Sequence, residues 1–520
     1  MATAAAQTSK PLPYTANPLL LMFNDLVLFV QITFTWPITA GLMSIVLPLL
    51  STKSGPLDEL ALTGPNLWAL FQHLILIIVQ ILFLLSLIPL ALFGLPVFYV
   101  LYITGCVVGN QWISGLLNGP RREELFQSHP DCVAGDWPKH EGEKWVFING
   151  VAVGSHWLQS NLDLLAMTFR RPVFGIHNQT RGIIFDVLEC IIQRDLSFAT
   201  TDIRTAYAAI LEILQDDKIH KVVLILHSQG GIEGGLVLDW LYDTVAADQL
   251  RKLEIYTFGN AANHWNAPVI SSGTSRSTTN TSGVGGGTPT EAGDSTTSQT
   301  RRIVQHIEHY ANEGDYVSKF GILHFRPDQA RPMANADVPQ PLPSPALPAS
   351  RNSTTTVKPK TKASTSPSPP RASKLQTDTE SDSVPRAHTW STSPQTPIER
   401  NDLQHRAQDN NRFFGKLFKR ASSGHMLNQH YLGNLFEMEG LDYPRDRSRG
   451  RVKSGNAFMD QVVDMAVFEG SDTVQAAREG RPSDGNGEGL GLGAEDGLSG
   501  IQIKQLSRLW GYCNGGSPGD

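Results

Sequence analysis

Apolar and polar positions split the chain into stretches of unlike texture. Residues 60–120 contain no Asp, Glu, Lys or Arg, and within them residues 67–108 are almost continuously apolar. Drawn as one helix, those 42 residues would be about 63 Å long at about 1.5 Å per residue, twice the roughly 30 Å of a bilayer core. The run therefore predicts two helices in a hairpin, with Pro89, Gly94 and Pro96 where the chain would break and reverse. Residues 26–52 are also uncharged, but Pro37, Pro48 and several threonines interrupt them. A third span and a re-entrant segment both remain open there, so residues 26–120 are expected to form a membrane region of two or three helices behind a tail of residues 1–25. That tail lacks a basic stretch abutting a short apolar core, so a cleaved secretory signal is not expected.

From residue 144 the pattern becomes that of a layered domain. Short apolar runs at 145–149, 173–177, 221–226, 253–258 and 303–311 read as strands, the first closed by the turn-forming pair Asn149-Gly150. Residues 182–193, 200–215 and 231–243 read as helices, with Ile203, Tyr207, Ile210 and Leu214 at helical spacing. Strands alternating with helices predict the α/β class, with a mostly parallel sheet covered on both faces. The apolar pattern resumes at 412–419, RFFGKLFK, and residues 456–468 read as a short amphipathic helix.

Two polar inserts interrupt this core, which is expected over 144–326 and again over 401–470. Residues 271–300 are Ser, Thr or Gly at 22 of 30 positions and hold no aromatic residue, Leu or Ile, so they have nothing with which to build a core. Residues 327–400 carry 14 of the 32 prolines among many Ser and Thr, and are expected to be disordered, open to phosphorylation and available to protein partners. A Gly- and acid-rich stretch at 480–500 extends that expectation to a tail of residues 471–520.

Composition narrows the function. A net charge of -6 and a pI of about 6.2 give no electrostatic case for nucleic acid as a partner. Four scattered cysteines, with no CxxC pair, argue against a disulfide framework and a zinc-cysteine site. No HExxH motif or acidic calcium loop occurs, so neither a metal nor another cofactor is expected. Arg121 and Arg122 directly follow the hairpin, and a positive-inside bias would place the domain after them in the cytosol; the organelle stays open, an endomembrane such as the endoplasmic reticulum being one candidate.

The sharpest chemical signal is Leu226-His227-Ser228-Gln229-Gly230-Gly231, at the end of one predicted strand and the start of a helix. This is where a strand-to-helix elbow lifts a serine hydroxyl into a cleft. Leu226 departs from G-x-S-x-G by putting a large residue at the first small position. With that motif the chain resembles the α/β-hydrolase superfamily, more narrowly lipase-like fungal serine hydrolases with an HSQG elbow, over residues 144–325 and 412–432. The resemblance implies a triad in the order Ser, Asp, His, because serine needs a histidine base and the histidine an orienting acid. Asp315, in Asn312-Glu313-Gly314-Asp315-Tyr316-Val317, suits the acid, with Glu313 in reserve; 57 residues separate it from Ser228 once the 30-residue insert is set aside. His425, preceded by Gly424, suits the base, with His430 as the alternative.

An oxyanion hole would draw one N–H from Gln229 and, by the same resemblance, a second near Gly150 or Val151. Residues 178–182 line the same cleft or simply cap a helix. The expected protein is thus an integral-membrane, multi-pass serine hydrolase acting on ester or lipid substrates, its partner surface the bilayer. A catalytically silent membrane scaffold with the same fold, and a thioesterase or amidase with the same triad, are the alternatives.

Overall fold

We describe a computed structural model, in which residues 13–35, 37–49, 53–120, 125–135, 137–271, 300–326, 413–463 and 501–519 are described. They belong to one unit formed by Met1–Met333 with Leu403–Asp520. The polar stretches at 327–400 and 480–500, nearly all of 271–300, and Arg121 and Arg122 lie outside the described residues.

The first helix, α1 (Pro18–Thr33), has 16 residues, short of the roughly 17–25 that cross a bilayer. Residues 38–49 that follow run in short 3₁₀ turns against the domain, so 26–52 does not supply a third spanning helix. Helices α2 (Gly64–Phe93) and α3 (Pro96–Asn118) are long and apolar enough to cross a membrane. They pair antiparallel, with Gln80 opposite Asn110 and Ser86 opposite Tyr102. The reversal lies at Gly94-Leu95, and α2 runs straight through Pro89, which the sequence had offered as a break. Pro96 opens α3, where its missing N–H leaves no orphan.

Next come β1 (Phe126–Gln127), β2 (Glu143–Ile148), α4 (Ser155–Phe169), β3 (Val173–Ile176), α5 (Ile183–Leu196), α6 (Thr201–Gln215), β4 (Lys221–His227) and α7 (Gln229–Thr244). A short α8 (Ala247–Leu250) precedes β5 (Leu253–Phe258), and β6 (Val269–Ser271) pairs with β7 (Thr300–Arg302) at the base of the Ser/Thr/Gly insert. Then follow β8 (His306–Asn312), α9 (Tyr316–Phe320) and β9 (Lys416–Arg420). Seven strands form one sheet in the order β1-β3-β2-β4-β5-β8-β9. All neighbours are parallel except the edge pair β1–β3.

Alternation along the strands builds two cores. Val222, Leu224 and Leu226 face one cluster with Ile203, Ile210 and Leu214 of α6, while Val223 and Ile225 face the other with α4. Helix α4 escaped the sequence reading because every residue from Ser160 through Phe169 is buried, so its pattern shows no polar face.

Two expectations for the C-terminal part are corrected. Residues 456–463 form no helix: Asn456 Oδ1 accepts from the N–H groups of Phe458 and Met459, closing a turn, and β-branched Val462–Val463 pairs with Ile501–Gln502. Residues 501–519, placed in a disordered tail, are folded. Leu509 and Tyr512 are buried, the Tyr512 hydroxyl donates to Glu254, and Arg508 pairs with Glu254 at 2.9 Å. The low-complexity stretch before them concealed that anchor.

Candidate active site

Loops leaving the C-terminal ends of β2, β4, β5, β8 and β9 carry every proposed catalytic group, as ligand sites in parallel sheets do. Ser228 sits between β4 and α7 at φ 59° and ψ -120°, a strained conformation for a residue with a Cβ. Backbone bonds hold it there: its N–H donates to the Phe258 carbonyl, and its own carbonyl accepts from Gly231 and Ala261. A side chain on Gly150 would overlap that of Ser228, so the β2 loop can lie directly against the serine only as glycine. Leu226 is accommodated because it points at Gly234 on α7, where a Cβ would collide with the leucine methyls. The larger residue at the elbow's entry is matched by a missing side chain one helical turn into α7.

Asp315 caps α9, its Oδ1 accepting from the Val317 N–H at 2.8 Å. Its Oδ2 is 2.9 Å from His425 Nδ1 and also accepts from the Tyr431 hydroxyl at 2.6 Å and the Ser318 hydroxyl at 2.9 Å. Burial alone would raise its pKa; the His425 ring, with the Tyr431 and Val317 donors, holds it below the ordinary carboxylate value. With Nδ1 donating to the carboxylate, His425 Nε2 presents its lone pair, and that atom is buried with no hydrogen-bond partner among the described residues. Gly259, at φ +56°, leaves room for the pair, since a Cβ there would stand 2.8 Å from His425 Cε1 and 3.0 Å from Asp315 Oδ2. Compared with family models, with curated proteins and with solved structures, the chain matches none.

His430 is engaged elsewhere. Its Nδ1 accepts from the Met426 N–H and its Nε2 donates to the Pro48 carbonyl, each at 3.0 Å, and burial pushes its pKa down to about 4. It acts as a neutral strut of the histidine loop. Glu313 is not hydrogen-bonded to His425; its backbone N–H donates to Arg420. Gln229 begins α7, so its N–H lies at the positive end of a 16-residue helix. Its side chain accepts from Asn178 at 2.8 Å and donates to Gln193 at 3.0 Å. Asn178 thus belongs to the wall behind the elbow, joined by Asn149, whose Nδ2 donates to the Asn178 carbonyl. Val151 is half-buried against the core.

The motif reading missed several contributors. Tyr431 lies one residue past His430, and Ser318 three past Asp315, a spacing that suits a helix cap. His227 Nε2 donates to the His425 carbonyl at 2.8 Å, and the two rings stack with centroids 4.6 Å apart. Burial, then the His425 ring, pushes His227 down to about 3, so it is a neutral spacer. Residues 41–49 hang over the same loop: the Ser44 and Ile45 carbonyls accept from Gly424 and His425. A cavity of about 950 Å³ lies at the N-terminal ends of β2, β4, β5 and β8, lined by Lys139, His220, Lys221 and Arg251 among others, and holds none of these groups. Among the described residues no cluster of three His, Cys, Asp or Glu could hold a metal.

Proposed function

We propose that the chain has an α/β-hydrolase fold and is a membrane-anchored serine hydrolase that cleaves carboxylic esters, lipid esters foremost, through an acyl-enzyme on Ser228. The observation that carries this reading is the His425–Asp315 pair, which leaves His425 Nε2 unpartnered beside a strand-to-helix elbow holding Ser228 at positive φ. In the reaction Nε2 takes the Ser228 hydroxyl proton as Oγ attacks the ester carbonyl, then returns it to the leaving alkoxide. Asp315 keeps Nδ1 protonated and stabilises the imidazolium. The N-terminus of α7 at Gln229 and the β2 loop at Gly150 flank the position where negative charge develops. Helices α2 and α3 support the choice of lipid esters, because a bilayer-tethered enzyme meets amphiphiles at high local concentration.

Fluorophosphonate labelling of the full-length protein in membranes tests the reading. Wild type should label, Ser228→Ala should not, His425→Ala should label about 100-fold or more slowly, and His430→Gln should retain labelling. Equal labelling of wild type and Ser228→Ala, or none in a folded wild type, would overturn it.

A further inference from the structure

Helices in water bury apolar residues and expose polar ones. Four helices on one flank of this protein do the reverse. On α5, four of the five buried residues are polar or charged, Asp186, Gln193, Arg194 and Asp195. Leu188, Ile192 and Leu196 are exposed at steps of four, along one side of the helix. On α1 the buried residues are Asp25 and Ile32, while Leu19, Leu20, Phe23, Leu26 and Val30 are exposed. Arg194 meets its partners inside: its Nη2 is 2.7 Å from Asp25 Oδ1, and its Nη1 donates to the Ala261 and Phe320 carbonyls. The hairpin follows the same rule, with Gln72, His73 and Gln80 of α2 and Asn110, Ser114 and Asn118 of α3 facing inward. Gln80 and Asn110 donate to the Arg181 carbonyl and Asn118 to that of Thr180, at the loop that opens α5.

These helices are continuous with one another. Helix α5 packs against α1 and against α2, with Phe185 on Phe83. Length then argues for what covers them. No residue is buried between Gln80 and Asn110, and beyond Phe83, which meets Phe185, the hairpin extends past the domain for 10 residues on α2, Leu84 to Phe93. At about 1.5 Å per residue that is about 15 Å, well short of a hydrocarbon core of roughly 30 Å. A hairpin held this close to its domain brings the domain's flank to the bilayer, and the flank that arrives there is the one with leucines and isoleucines outside.

We infer that α1 and α5 are themselves lipid-facing: the outer surface of the α/β domain along these two helices sits in the acyl-chain region of one leaflet, continuous with the hairpin. The occupant of this face is lipid hydrocarbon, since it extends an apolar hairpin and the polar groups Arg194, Gln80, Asn110 and Asn118 find their partners inward. Residues 41–49, which cover His425, carry Leu42, Met43 and Leu49 outward beside α1. The cover of the catalytic edge thus lies along the same lipid-side surface. The inference rests on reading α2 and α3 as a membrane anchor, and not on Ser228 being a nucleophile.

Photo-crosslinking in the full-length protein reconstituted into phosphatidylcholine vesicles separates the two. The photoreactive residue p-benzoylphenylalanine replaces Leu82 in the hairpin, Leu20 on α1, Ile192 or Leu196 on α5, or Asp217 in the exposed turn before β4. Mass analysis after illumination should find covalent phosphatidylcholine adducts at 82, 20, 192 and 196 and none at 217. Adducts at 82 alone would overturn the inference and leave the anchor standing. Their absence at 82 as well would bring down the anchor with it. A crosslink between two copies of the chain at 192 or 196, in place of lipid, would assign that face to a second copy and overturn the inference.

Discussion

Helices α5 and α6 follow one another in the chain and contribute to the same core, yet they are built the opposite way round. Helix α6 buries Ile203, Ala206, Ile210 and Leu214 and exposes Arg204, Thr205 and Glu212. Helix α5 buries Asp186, Gln193, Arg194 and Asp195 and exposes Leu188, Ile192 and Leu196. Both have a strong 3.6-residue period, so periodicity identifies each as a helix and is silent on which side is inside. The difference teaches that direction is set by the medium outside. Water selects α6, and on the inference drawn above a hydrocarbon surround selects the inverted order of α5.

The sharpest way to break the contrast is to remove charge from each helix. Arg194→Ala on α5 should destabilise the folded protein by about 3–5 kcal/mol, because it leaves Asp25 buried without its partner. Arg204→Ala on α6, whose side chain is exposed, should stay within about 0.5 kcal/mol. Denaturant unfolding in one detergent compares them directly, and equal losses would erase the distinction.

Truncating leucines reverses the ranking. Leu214→Ala on α6 empties a filled site and should cost about 2–5 kcal/mol, whereas Leu196→Ala on α5 leaves no internal cavity and should cost under about 1 kcal/mol. The same unfolding measurement decides it.

Acid probes the buried edge of the candidate site, around His227 and His430. His227 and His430 are held neutral, at about 3 and about 4, chiefly by burial. In the unfolded chain each titrates near about 6.5. As pH falls from about 6.5 to about 4, the unfolded state takes up protons that the folded state refuses, and stability drops across that window. Asp315, lowered by its partners, stays ionised there and adds nothing to the loss. Wild type should therefore lose more melting temperature between pH 7 and about 4.5 than His430→Gln, which cannot titrate, and equal losses would contradict this.

The smallest effect concerns the inward side of α5. Gln193 supports Gln229 at 3.0 Å and also donates to Glu233 and Thr200. Gln193→Leu should slow fluorophosphonate labelling by less than about tenfold, the worth of one hydrogen bond, without changing which residue is labelled.

Much of this was legible in the chain because the signals were local. The strand KVVLIL before HSQGG places the strand-to-helix turn at Ser228, and Gly424 before His425 marks the turn that brings that histidine to Asp315. What escaped reading depends on contacts far apart in sequence. His425 and His430 are five residues apart and equally polar; the Pro48 carbonyl, hundreds of residues upstream, engages His430, while Asp315 engages His425. Residues 38–49 looked like part of an apolar span, yet their carbonyls serve the histidine loop, a use of backbone that leaves no mark on side-chain pattern. The buried α4 and the folded 501–519 segment share that cause, since each is fixed by tertiary partners rather than by its own periodicity.

The N-terminal region, for its part, is no detachable tether. Gly424, His425, Ser423, Gln429 and His430 all donate to carbonyls of residues 44–49, and Glu59 receives the N–H groups of Asn428 and Gln429. A shortened chain beginning at β1, the natural choice for a water-soluble catalytic fragment, would therefore lose the outer scaffold of its own histidine loop. The apolar part and the chemical part of this protein have to be kept, purified and altered as one object.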